Sequence, residues 1–251
     1  MPDAVSLAVV YPDLLGTYGD GGNATILAQR LRWRGIPAEV VEVKAGETVP
    51  ATCDAYVLGG GEDAPQTLAA DQLIADGVLA AAVDRGATVL AICAGLQVVG
   101  RSFLAPDGRS RPGVGLLDCT TGRTAVKRAV GELVVEPGPD LNLPVLSGYE
   151  NHAGLTTLGP TARPLGRVLT GIGNGNGDGT EGVVCGKVLG TYLHGPALAR
   201  NPALADLVLG WIVGPLEPLD DSEAEGLREE RLRAVRAASH EGGRKRWRLG
   251  R

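Results

Sequence analysis

Val89-Leu-Ala-Ile-Cys-Ala-Gly-Leu-Gln-Val-Val99 changes character at Cys93. An apolar, β-prone run from Thr88 to Ile92 stops there. Ala94, Gly95 and then Leu96, Gln97, Val98 and Val99 read as the opening turns of a helix. A nucleophile at a sharp strand-to-helix turn stands exposed above the strand end, and only small neighbours fit such a turn. The helix that follows aims its first N–H groups and its positive dipole end at the sulfur. That matters because a free thiol with pKa ~8.5 is mostly protonated at neutral pH, and the thiolate is the reactive form. The competing reading is a small buried hydrophobe that ends a core strand, a common fate of free cysteine. The stretch alone does not separate the two, so the rest of the chain has to.

Working outward, the flanking segments set the architecture. Ser6 to Tyr11 reads as a buried strand ended by Pro12, and a glycine-rich loop leads to Asn23, which reads as the N-cap of a helix to about Arg34. Ala38 to Val43 and Ala55 to Leu58 read as strands, the second running into Gly59-Gly60-Gly61. A helix over Gln66 to Arg85 is closed by Gly86, just before the Thr88 strand. This rhythm predicts an α/β fold: a Rossmann- or flavodoxin-like, mostly parallel sheet with helices on both faces. Ligands gather at the carboxyl ends of such strands. The first loop, the triple glycine and Cys93 all fall at that edge.

Beyond Phe103 the pattern turns to short β-like pieces at Val130 to Glu136, Leu143 to Leu146 and Val183 to Leu193, after a loop over Ala105 to Gly113. Gly171 to Gly179, with glycine at every second position, reads either as a linker or as a tight hairpin loop. Pro202 to Val213 reads as a helix. The chain therefore divides into a main domain over 1–214 and a charged, partly helical extension over 215–251. In the extension, Ser222-Glu-Ala-Glu225 resembles a capping box, and Leu227, Leu232 and Val235 form a thin apolar stripe. Its basic end, Gly243 to Arg251, fits either a solvated helix with a frayed tail or a docking arm.

Composition excludes several classes. A net charge of -5 and 4% aromatic residues leave no footprint for nucleic acid. The uncharged stretch Ala87 to Gly100 falls short of the roughly 20 apolar residues of a membrane span, so no transmembrane segment is expected. No signal peptide opens the sequence, and the four cysteines never pair as C-x-x-C. A cytoplasmic protein, possible at the inner face of a membrane, is the simplest expectation.

A cysteine hydrolase needs a base and an oxyanion hole. Of three histidines, His240 lies in the charged tail and His152 in a polar turn. His194 ends a β-like run, so its ring can be presented at a strand edge; a hydrogen-bonded structural histidine is the alternative. Gly60 and Gly61 lack Cβ atoms, so their N–H groups can approach a carbonyl oxygen closely and, with the N–H of Ala94, form an oxyanion hole. A phosphate loop does not fit, because no Gly-Lys-Ser/Thr follows.

The set Gly59-Gly-Gly61, Ala91-Ile-Cys-Ala-Gly-Leu-Gln97 and Thr191-Tyr-Leu-His194 resembles the class I glutamine amidotransferases, and among them those related to cobyric acid synthase. Tyr11-Pro-Asp-Leu with Tyr18-Gly-Asp20, Gly148-Tyr-Glu-Asn-His152, Asp178-Gly-Thr-Glu-Gly182 and Gly190 to Pro196 narrow the likeness to the glutaminase subunits of lipid II isoglutaminyl synthases. The resemblance implies that Cys93 attacks the side-chain amide of L-glutamine with His194 as base, that Gln97 helps hold the glutamine, and that Arg128 binds it. It also implies a heterodimer with a MurT-like, Mur-ligase-family subunit, which would use the ammonia to amidate lipid II. No cofactor is expected on this chain, with ATP and magnesium on the partner. Pro196 stands where many relatives carry an acidic third member, so a dyad is expected, with Glu150 or another acid as a possible substitute. Leu155 stands where arginine is expected. A cobyrinate-type amidotransferase component and a stand-alone γ-glutamyl cysteine hydrolase are the alternatives.

Overall fold

Short apolar runs rich in β-branched residues build the central sheet of the computed structural model, which describes residues 4–123 and 128–248, with 238–248 as backbone alone. In chain order the first half comprises β1 (Val5–Val10), α1 (Gly22–Trp33), β2 (Ala38–Val43), β3 (Ala55–Leu58), α2 (Asp63–Asp76), α3 (Val78–Asp84), β4 (Thr88–Ile92) and α4 (Ala94–Val99). Then come β5 (Ser102–Leu104), β6 (Ser110–Pro112), β7 (Cys119–Arg123), β8 (Ala129–Pro137), β9 (Leu146–His152), β10 (Gly154–Leu158), β11 (Gly166–Thr170) and β12 (Thr180–Glu181). The chain closes through β13 (Val183–Cys185), β14 (Val188–Thr191), α5 (Ala197–Arg200), α6 (Pro202–Val213) and α7 (Ser222–Arg248).

The six-stranded sheet runs β13-β14-β4-β3-β1-β2. All of its pairings are parallel except that of β13 with β14. The chain moves from β1 outward to β2 in one direction and from β3 to β4 in the other. Right-handed crossovers therefore put α1 and the α2–α3 pair on opposite faces. The reversal lies between β1 and β3, and a crevice opens there at the carboxyl ends of the strands. Leu7, Val10, Val57, Leu58, Leu90 and Ile92 are buried in the sheet, as the continuous apolar strands predict. Two four-stranded sheets, β10-β7-β5-β6 and β12-β11-β8-β9, occupy the stretch between β4 and β14.

The structure corrects several local expectations. The helix over Gln66 to Arg85 is two, because Gly77 takes φ +67° and breaks the hydrogen-bond ladder. Asn23 lies inside α1 rather than capping it; its side chain instead bonds Asp20 O and accepts from Leu198 N–H. Ser110 to Pro112, expected in a loop, pair with β5. The strand expected at Leu143 starts at Leu146 and runs on to His152, and the Val183 to Leu193 run folds back as a hairpin at Gly186, φ +55°. Residues 171–179 form the hairpin loop between β11 and β12. In the extension, Ser222 is the first helical residue rather than a cap. Leu232 and Val235 pack on Val134 and Val145, whereas Leu227 stays exposed. Arg30 ties the linker down by bonding both Asp206 and Asp221. The His240 side chain and the basic end lie outside the described side chains. No helix among the described residues is long and apolar enough to cross a membrane.

Candidate active site

Cys93 sits at the turn between β4 and α4 with φ +52° and ψ -105°, a conformation rarely taken by a residue with a Cβ and worth roughly 1–3 kcal/mol of strain. The turn closes only because its neighbours are small. A Cβ on Gly95 would lie 2.9 Å from both Leu58 Cβ and Leu58 O. The Cys93 N–H donates to Thr191 O at 2.8 Å, which brings the end of β14 beside the end of β4. His194 follows three residues on. A backbone bridge to Tyr149 on β9 holds it, His194 N–H donating to Tyr149 O at 2.8 Å and Tyr149 N–H to His194 O at 3.2 Å.

The His194 ring is buried, and its Nδ1 lies 3.0 Å from Asp20 Oδ2. Asp20 comes from the loop after β1, is fully buried, and also accepts the Gly60 N–H at 2.9 Å. Burial opposes a charge on the imidazole, but the hydrogen bond to Asp20 and the interaction with Cys93 outweigh it and raise the pKa to about 9. Nε2 is buried with no hydrogen-bond partner among the described residues, and Cys93 stands near enough to the ring to raise its pKa. Such contacts are commonly long before substrate binds. The Tyr18 ring packs against His194 with centroids 4.7 Å apart.

An acid does therefore stand behind the histidine, where a dyad was expected. Glu150 is not that acid. Its carboxylate accepts the N–H groups of Ile172 and Gly173, and its nearer imidazole is His152, at 3.5 Å. The position after the histidine could not reveal Asp20, because the carboxylate arrives from the loop after β1, near the other end of the chain. The only signal was Tyr18-Gly-Asp20 itself, a matching stretch with no role attached.

Gly60 also departs from expectation. Its N–H is committed to Asp20, so it does not serve an oxyanion. Its missing side chain has another use, since a Cβ there would stand 2.8 Å from His194 Cε1. Gly61 and Ala94 line the pocket around Cys93, and neither N–H has a protein partner among the described residues. They remain the pair able to receive a developing oxyanion.

The pocket is also lined by Asp63, Gln66, Gln97, Arg123, Arg128, Asn151 and His152. Gln97 Oε1 accepts from Gln66 Nε2 at 2.9 Å, and its Nε2 donates to Tyr192 OH at 3.3 Å. Arg128 donates through Nε to Asn151 Oδ1 at 2.6 Å and through Nη2 to Asn151 O at 3.1 Å. Asn151 in turn donates to Tyr18 OH. A chain of contacts thus joins the pocket's guanidinium to the ring that flanks His194. His152 ends β9 rather than sitting in a polar turn. It is buried and stacked on Tyr192 at 3.7 Å. Sequence reasoning passed over Asp20, Tyr18, Asn151, Gln66 and His152 as site residues. All except Gln66 lie in stretches that carried the family likeness.

A parallel sheet whose carboxyl edge gathers a cysteine at a strained elbow, a buried histidine and a carboxylate is the framework of a class I glutamine amidotransferase. Residues 6–202 match the CobB/CobQ-like glutamine amidotransferase domain, and the chain belongs to that family of enzymes. It is 36% identical over 220 residues to the lipid II isoglutaminyl synthase (glutamine-hydrolyzing) subunit GatD of Staphylococcus aureus, covering 85% of this chain and 88% of that one. It is 32% identical to the subunit of the same name from Streptococcus pneumoniae, covering 81% and 78% of the two chains. A crystal structure of a glutamine amidotransferase shares the fold at a TM-score of 0.54 and 22% identity, over 82% of this chain and 98% of the other.

Proposed function

We propose that this chain is the glutaminase subunit of a two-chain lipid II isoglutaminyl synthase. The reading is supported by identity over most of the length of the two GatD subunits. The observation that carries its chemistry is the Cys93–His194–Asp20 arrangement beside a polar pocket.

Cys93, as thiolate, attacks the side-chain amide carbon of L-glutamine, and the oxyanion is received by the N–H groups of Gly61 and Ala94. Imidazolium at His194 delivers its proton to the departing nitrogen, so ammonia leaves and a γ-glutamyl thioester remains. A pKa of about 9 keeps that proton on the ring at neutral pH. His194 then takes a proton from water, which attacks the thioester and displaces the Cys93 thiolate; the new γ-carboxyl loses its proton to solvent, so glutamate leaves and the thiolate–imidazolium pair is restored. Asp20 holds Nδ1–H and the ring orientation throughout and stabilises the imidazolium. Arg128, braced by Asn151, pairs with the α-carboxylate of glutamine, and Gln97 bonds the substrate from the first turns of α4.

The ammonia passes to a Mur-ligase-like partner, which holds ATP and magnesium and activates the carboxylate of D-isoglutamate in the lipid II stem peptide. The product there is D-isoglutamine, made in the cytoplasm. The test is ammonia release from glutamine by the chain alone and with that partner, beside Cys93→Ala and His194→Ala, followed by amidation of lipid II with ATP. Release stimulated by the partner and abolished by both substitutions supports the reading. Glutamine left intact under every condition refutes it.

A further inference from the structure

Asp63 and Arg123 face each other across the mouth of the pocket. Asp63 opens α2, two residues beyond Gly61, and Arg123 ends β7 on the opposite wall. Their side chains meet, Arg123 Nη1 lying 2.9 Å from Asp63 Oδ2, and both remain about half exposed. Asp63 is the pocket's one lining carboxylate among the described residues; Arg123 and Arg128 are its two fixed cations.

We propose that Asp63 is the specificity determinant for a free α-amino group: it receives the α-ammonium of the substrate amino acid, exchanging Arg123 for it. The inference rests on the reading that the pocket takes glutamine. Two residues of chain, at most ~7 Å, separate Gly61 at the amide end from Asp63. That span is comparable to the two methylenes and α-carbon of a glutamine whose amide sits at Cys93. An exposed ion pair contributes little stability, so exchanging it for substrate is cheap. The exchange conserves charge. The ammonium replaces the guanidinium on Asp63, and the released Arg123 joins Arg128 on the α-carboxylate. Arg128 has Nη1 without a protein partner among the described residues, since Nε and Nη2 are held by Asn151. A zwitterionic head thus meets one anion and two cations. An Nα-acylated glutamine, or one inside a peptide, offers Asp63 no cation and leaves the original ion pair closed across the mouth.

The experiment compares L-glutamine with Nα-acetyl-L-glutamine in the wild type and in Asp63→Asn. Calorimetric binding of both compounds to the Cys93→Ala protein, with and without Asp63→Asn, gives a readout independent of turnover. The expected result is a KM for L-glutamine raised ~10- to 100-fold by Asp63→Asn, the loss of one charge-assisted contact, with kcat little changed. Nα-acetyl-L-glutamine, already poor, is unaffected. The calorimetric affinities follow the same pattern. If the wild type hydrolyses glutamine and Asp63→Asn leaves KM unchanged, or weakens both compounds equally, this inference falls and the glutaminase reading stands. If no variant binds or hydrolyses glutamine, both fall.

Discussion

Asp20 and His194 are separated by 174 positions in the chain, yet the Asp20 carboxylate lies 3.0 Å from the imidazole Nδ1, with both side chains buried. The same carboxylate accepts the Gly60 N–H, so one buried anion holds both the ring and the glycine loop. The hydrogen bond to Asp20 and the interaction with Cys93 raise the pKa of the imidazole against the cost of burial.

Asp20→Asn should therefore lower glutamine turnover by ~10²- to 10⁴-fold, since the ring loses both its orientation and its counter-charge. The alkaline limb of the rate profile, set near pH 9 by loss of the His194 proton, should move to lower pH. Stability carries the same signature. A histidine whose pKa is raised on folding contributes stability fully below the unfolded value of ~6.5, and loses it as pH rises through about 9. Melting temperatures between pH 6 and 10 should show this decline in the wild type and a flatter curve in the variant.

Gly60→Ala tests the packing around the ring. The added Cβ would stand 2.8 Å from His194 Cε1 and 3.1 Å from Asp20 Oδ2, so the imidazole must give way. A displacement of about 1 Å at a reacting group costs on the order of 100-fold in rate. Turnover should fall by that factor in a chain that still melts cooperatively; unchanged turnover would show that the ring has room.

Arg128→Lys should raise the KM for glutamine ~10-fold or more despite the retained charge. Lysine cannot reproduce the two bonds to Asn151, which fix the plane of the guanidinium. Steady-state kinetics decides it, a KM close to wild type meaning that charge alone suffices.

Glu181 is fully buried, and desolvation, aided by the nearby Glu150, pushes its pKa to about 7. An acid whose pKa rises on folding makes the folded state hold the extra proton, so stability falls as pH climbs from ~4.5 through about 7. Glu181→Gln keeps an acceptor for Thr191 and for the Tyr192 N–H and should remove that fall. Urea midpoints at pH 5 and pH 8 should differ more in the wild type than in the variant.

Leu232→Ala tests how firmly α7 is seated. Its side chain joins Val134 and Val235 in a small buried cluster, and about 2 kcal/mol should be lost, read as a lower urea midpoint. No change would mean that α7 is held by its polar contacts instead, Arg228 with Val145 O and Arg231 with Glu132.

Most of the parallel sheet was legible because its inner strands are buried. Apolar runs such as Ala55–Leu58 and Thr88–Ile92 can be recognised without their partners, and glycines mark their ends. The Cys93 elbow was legible for the same reason, being a local change from strand to helix. What escaped depends on contacts that no local pattern encodes. Strands of two to five residues such as β5, β7 and β12 exist because a neighbour pairs with them, not because their own residues demand it. Asp20 reads as one more polar loop residue until the sheet carries it to His194. The Gly77 break was hidden because an apolar stripe continues through it and a single glycine is often tolerated within a helix.

The members of this centre leave the ends of separate strands: Asp20 follows β1, Gly61 follows β3, Cys93 follows β4 and His194 follows β14. The Cys93 sulfur is therefore synthesised roughly a hundred residues ahead of the His194 imidazole. A nascent chain that has not yet paired β14 with β4 carries Cys93 and the Asp20 loop without His194 between them. On the proposed mechanism ammonia is first liberated when β14 docks on β4, so the onset of turnover during refolding should report that late strand rather than the collapse of the core.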